Sequence, residues 1–160
     1  MEAETITGIV PNTTRKKGWF SQQSFNLVLT DKRIIAAELT SGMIKKEAAK
    51  VAAEKKEQGA GILSRTFSTL FSGYSVYKKY YTMLPADILQ ENPGNFCIDA
   101  GTIEKIKINH KHVERDGQHY DETEIQIKAS GGKYSFKLTG SGMSSKDAKD
   151  LFAKAYPGKV

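Results

Sequence analysis

The sequence predicts a mainly β protein: an antiparallel sheet interrupted once by helices and finished by a C-terminal helix. Three observations carry that prediction. Residues 25–37 hold two apolar runs around a short polar connection. Residues 103–139 alternate apolar and polar with a period of two, and residues 144–156 carry one apolar stripe at helical spacing.

Residues 5–10 alternate weakly and meet Pro11, which cannot donate to a ladder, so the first strand is expected to stop there. Residues 12–22 are then a loop carrying Arg15, Lys16, Lys17, Gly18, Trp19 and Phe20. The hairpin follows. Both of its arms, Phe-Asn-Leu-Val-Leu and Ile-Ile-Ala-Ala, suit a pleated surface, and Asp31 between them bonds its own backbone readily and initiates a turn.

From residue 43 to 57 the composition turns to Ala, Lys and Glu, which are strong helix formers, with a thin apolar side of Ile44, Ala48, Val51 and Ala52. Gln58-Gly59-Ala60-Gly61 reads as a joint. A second helix is expected over 62–81, with Leu63, Phe67, Leu70, Phe71, Tyr74, Tyr77 and Tyr81 on one stripe. Pro85 ends it, and one further turn is expected around residues 87–89. Residues 40–84 therefore form a helical insertion.

Strands return at 95–98, 103–114, 122–129 and 133–139, turning at Asp116-Gly117 and Gly131-Gly132. Ile106, Ile108, Ile125, Ile127, Phe136 and Leu138 are the expected core face, with lysines and glutamates opposite. Ser144 and Asp147 fit the capping arrangement of a final helix, whose stripe is Ala148, Leu151, Phe152, Ala155 and Tyr156.

The run Phe-Asn-Leu-Val-Leu-Thr-Asp-Lys-Arg-Ile-Ile-Ala-Ala-Glu-Leu resembles the second and third strands of bacterial pleckstrin-homology-like (PH-like) and GRAM-type domains. In that family apolar-Leu-Thr-Asn/Asp-x-Arg-apolar-apolar recurs. The resemblance implies a seven-stranded bent antiparallel barrel capped by a C-terminal helix. The order of elements fits, with the helical insertion between strands three and four, and one PH-like domain over residues 1–160 is expected. In lipid-binding members, basic residues around the first loop hold anionic headgroups. Gln22, Gln23 and Asn26 stand where such a pocket usually has a further basic residue.

Bulk composition narrows the partner. The net charge is +6, and residues 40–84 hold eight Lys/Arg against three Glu, so nearly all of the excess lies in that insertion. Such asymmetry points to an anionic membrane surface, a nucleic acid or an acidic protein; the plain alternative is a solvated helix face. The aromatics lie on a helical stripe instead of a strand-borne stacking platform, which argues against nucleic acid. No apolar run approaches the roughly 18 residues of a membrane span, and the N-terminus lacks a signal-peptide layout. Cys97 is alone, so no internal disulfide forms, and it is expected as a small core residue in a cytosolic chain.

No Gly-rich phosphate loop, Gly-x-Ser-x-Gly, paired-cysteine pattern or HExxH occurs, so neither an enzyme nor a cofactor is expected. His110 and His112 can share a metal at their spacing, with His119 beyond the turn. Their phase with Ile106 and Ile108 puts them at the lip of the barrel, and no metal role is assigned. The candidate lipid-binding residues are Arg15, Lys16, Lys17, Trp19 and Phe20, together with Arg65, Phe67, Phe71, Lys78 and Lys79 of the insertion. Hydroxyl residues opposite the aromatic stripe of 62–81 resemble helices that sense lipid packing. The rival reading is a protein-interaction scaffold, with that stripe buried between subunits of a homo-oligomer; the plain alternative is a helix docked on its own barrel or on a second subunit.

Overall fold

The structure, a computed structural model, describes residues 2–57, 76–138 and 143–160. Its strands are β1 (Ile6–Lys16), β2 (Gln22–Thr30), β3 (Arg33–Glu38), β4 (Phe96–Asp99), β5 (Ile103–Arg115), β6 (Gln118–Ala129) and β7 (Gly132–Leu138). Between β3 and β4 come helix α1 (Ser41–Glu57), a 3-10 helix (Val76–Thr82) and α2 (Pro85–Gln90), and α3 (Ser145–Ala155) ends the chain. The strands form one open sheet in the order β4-β3-β2-β1-β7-β6-β5, antiparallel at every pairing.

The sheet is not flat. Four strand steps separate β4 from β7, which at about 4.8 Å each would hold them roughly 19 Å apart. Yet the Phe96 ring on β4 lies 5.8 Å from Tyr134 and 6.4 Å from Phe136 on β7, centroid to centroid. The sheet therefore curls until its aromatic residues meet. Val10, Phe25, Leu27, Leu29, Ile34, Ile98, Ile106, Ile125, Ile127 and Phe136 fill the inside of the curl. Helix α3 covers it with Ala148, Phe152 and Tyr156, half-burying Leu151 and Ala155, as the stripe predicts. The Ser144 hydroxyl caps that helix by accepting from Asp147 N at 3.0 Å. Lysine 159 extends the cover, its carbonyl accepting from Ile106 N on the β5 edge at 2.7 Å.

The hairpin is buried on both faces, which explains why its arms read as continuous apolar runs. Ile9, Val28, Ile35 and Ala37 point away from the curl and are covered by Tyr80 and by Ile88 of α2. Of the two tyrosines at the end of the predicted stripe, Tyr77 packs half-buried against this second core, whereas Tyr81 stays exposed. The end of the predicted 62–81 helix is thus a 3-10 helix docked on the sheet; Leu63, Phe67, Leu70, Phe71 and Tyr74 lie outside the described residues.

Three local expectations are corrected. Strand β1 does not stop at Pro11 but runs on to Lys16. The register shifts between Val10 and Thr13, so the proline sits in a bulge where no ladder donor is needed. Asn12 adopts φ 53° there, and its N–H donates to the buried Asn26 Oδ1 at 3.0 Å. Cys97 is exposed, because Phe96 and Ile98 take the inward positions of β4 and Cys97 lies on the outer side of this edge strand. The β6–β7 turn is Ser130-Gly131, with Gly132 already paired to Ala129. Asp116 and Gly117, with φ 52° and 73°, do form the predicted tight turn.

Two contacts yield direct expectations. A Cβ on Gly8 would lie 2.5 Å from Leu151 Cδ1 and 2.8 Å from its Cγ, so a side chain there must displace Leu151 of α3. Gly8→Val should cost about 1–3 kcal/mol in urea unfolding. Leu151→Ala in the same chain should return part of that loss. At the hairpin tip, Arg33 donates to both oxygens of Glu4, at 2.9 and 2.8 Å, and Asp31 Oδ1 accepts from Thr5 N at 2.8 Å. Desolvation pushes the Glu4 carboxyl up, but hydrogen bonds from Arg33 and Thr30 and the guanidinium charge outweigh it and hold it below its ordinary 4.5. The folded state thus binds this proton more weakly than the unfolded chain does. The stability it contributes is complete above the ordinary carboxylate range and is lost as pH falls through the depressed folded value. Glu4→Gln should flatten the acid limb of a stability-against-pH curve; an unchanged limb would show that the pair contributes nothing.

Candidate functional site

The connection between β1 and β2 is five residues long, Lys17 to Ser21, because Lys16 and Gln22 are the last cross-strand pair. Its base is locked. Lys17 N donates to Ser21 O at 2.8 Å, the Ser21 hydroxyl returns a bond to Lys17 O, and Gly18 supplies φ 88°. With both ends tied, Trp19 and Phe20 are held outward, at 96% and 101% relative exposure. Adjacent large aromatics are rarely left in water, since covering each is worth about 1.5–3 kcal/mol.

Lys16 and Lys17 flank the pair and are exposed, and neither makes an ion pair among the described residues. Arg15 is different. It stands on β1, half-buried, with its guanidinium 5.2 Å from the centroid of Phe96 and 5.4 Å from that of Tyr134. Stacked there it holds the rim of the curled sheet where β4 approaches β7.

Lys16 also links the loop to the outer face of the sheet. It lines a groove of about 410 Å³ with Gln22, Glu124, Lys133, Ser135 and Lys137. The Ser135 hydroxyl donates to Glu124 at 2.6 Å, and that bond foremost holds the Glu124 carboxyl below its ordinary range. A second groove, about 620 Å³, runs from Lys16 and Gln22 to Val113, Arg115 and Tyr120 on the β5–β6 hairpin. Glu122 accepts from Lys137 and lies 3.5 Å from Arg115, offsetting two of these cations. Tyr120, half exposed at 50%, and Arg115 are neighbours that sequence reasoning missed. The signal available was an aromatic and a cation flanking Asp116-Gly117, but nothing in the chain order brings that turn beside the first loop.

Lys78 and Lys79 are not brought to this loop. Their 3-10 helix packs against Ile6 and Ile9, at the start of β1. Seven residue steps separate Ile9 from Lys16, roughly 23 Å at about 3.3 Å each. Lys79 is also ion-paired with Glu91, and its ammonium lies 5.2 Å from the Tyr80 ring centroid. The Tyr80 hydroxyl donates to the same carboxylate at 2.9 Å; burial first, and then the Glu91 charge, raises its pKa. That cluster anchors the insertion to the sheet. Arg65, Phe67 and Phe71 lie outside the described residues.

Two exposed aromatics and two unpaired cations on a rigid turn can engage a surface that is apolar just beneath an anionic layer. No helix among the described residues is long and apolar enough to cross a membrane. No family model matches the chain, and no curated protein or solved structure matches it.

Proposed function

We propose that this chain is a non-enzymatic, PH-like binding module that docks peripherally on anionic membrane through its β1–β2 loop. Support for the PH-like part comes from seven antiparallel strands curled on themselves, the helical insertion after β3 and the C-terminal helix over the core. The observation that carries the docking reading is the side-by-side exposure of Trp19 and Phe20, at 96% and 101%. Trp and Phe suit the region between headgroups and acyl chains, and Lys16 and Lys17 beside them meet phosphates. Each cation adds about 1 kcal/mol near an anionic leaflet, too little alone, so aromatic insertion supplies the remainder. No pocket for a particular headgroup is required.

Trp19 is the sole tryptophan, so its fluorescence reports on the loop directly. Adding phosphatidylserine-containing vesicles at low salt should shift its emission to the blue, and neutral vesicles should shift it less. An unshifted spectrum under conditions where the protein is folded removes the proposal.

A further inference from the structure

Beyond Thr123 and Leu138 the β5–β6 hairpin has no third strand among the described residues, and its inward face there carries ligating side chains instead of core. His110 and His112 alternate with Lys111, so they share the face of Ile106 and Ile108. Asp121 stands directly opposite His112 in the ladder and therefore on the same face. The third ligand that the sequence alone lacks is thus supplied across the strands.

The donor atoms converge. His112 Nδ1 is 2.5 Å and His110 Nε2 3.8 Å from Asp121 Oδ1, and the donor atoms of all three lie within 4.8 Å of one another. Zinc bonds of about 2.0–2.1 Å at tetrahedral angles place donors roughly 3.3 Å apart, between those two distances. The imidazole rings lie 5.1 Å apart at 84°, so they do not stack face to face. On its other side, His110 Nδ1 is 3.4 Å from Thr123 Oγ1, a neighbour that biases Nε2 toward the cluster. All three ligands are exposed, which leaves room for water to complete the coordination.

The geometry points to a divalent transition-metal site, zinc foremost, formed by His110 Nε2, His112 Nδ1 and Asp121 Oδ1. Two imidazoles and one carboxylate are a borderline donor set that favours Zn2+ and its neighbours over Mg2+ or Ca2+. A metal bound at His112 Nδ1 needs that nitrogen without a hydrogen, so the neutral ring carries its one N–H on Nε2. The ion joins β5 to β6 beyond the last pair that β6 makes with β7, so it acts as a clip on the hairpin tip.

The test uses the tag-free full chain and zinc sulfate. Isothermal titration should give one Zn2+ per chain. His110→Ala, His112→Ala and Asp121→Asn should each weaken binding at least tenfold, with folding checked by circular dichroism. His119→Ala, next to the turn, should leave affinity within about threefold. Amide exchange of residues 113–118 should slow on adding Zn2+ in the wild type and not in His112→Ala. Absence of stoichiometric binding, equal loss in His119→Ala, or zinc-independent exchange at the tip would each overturn the site.

Discussion

Phe152→Ala is expected to lower the unfolding free energy by about 3–5 kcal/mol, the range for removing an aromatic ring from a close-packed core. Phe152 has no exposed surface and sits where α3 covers the curled sheet, among side chains from strands far apart in sequence. Alanine leaves a void that neither the helix nor the strands can close without separating. Leu151→Ala, at a half-buried position, should cost clearly less, and Tyr156→Phe only about 1–2 kcal/mol. In the last case the lost hydroxyl donates toward the carbonyls of Thr30 and Arg33, at 3.0 and 2.9 Å, tying the end of the chain to the hairpin tip. Burial foremost raises the pKa of that phenol, so it stays a donor through neutral pH. Urea midpoints at constant slope measure all three. If Phe152→Ala cost less than Leu151→Ala, helix α3 would not be the cover of this sheet.

The strands and the final helix were legible because local pattern and tertiary role agree. Ile106, Ile125, Ile127, Phe136 and Phe152 alternate or stripe toward a core that is where the pattern points. Legibility failed where two faces or two strands decide the matter. Pro11 reads as a stop, and only the partner strand shows that a bulge carries the ladder past it. Arg15 reads as one of three loop cations, yet the curl brings Phe96 and Tyr134 under its guanidinium. Cys97 reads as core because its neighbours are apolar, though an edge strand covers only one side. Asp121 could not be read as a partner of His112, since that pairing is set by the register of a thirteen-residue strand against a twelve-residue one. For the loop the residues were legible and their exposure was not. Trp19 could equally have folded onto the rim; what prevents it is a five-residue connection tied at both ends.

That rigidity makes the membrane prediction quantitative. Trp19→Ala with Phe20→Ala should weaken co-sedimentation with anionic vesicles by about 100-fold or more, because two large side chains at roughly 1.5–3 kcal/mol each lose their apolar cover. Lys16→Ala with Lys17→Ala should lose about 2 kcal/mol, some thirtyfold, at low salt. The two pairs should respond differently to ionic strength. Raising salt from 0.1 to 1 M shortens the screening length from about 10 to 3 Å, so it should erase the lysine effect and leave most of the aromatic one. Arg15→Ala should act otherwise. Its charge is already engaged by Phe96 and Tyr134, so it should lower stability by about 1 kcal/mol while leaving vesicle affinity within a few-fold. All four changes fall at exposed positions in or next to a turn whose closing bonds are backbone or from Ser21, so each variant should unfold at the wild-type midpoint. Binding that survives loss of both aromatics would move the contact off this loop. Binding that vanishes with the lysines yet ignores salt would show that they act through structure and not through charge.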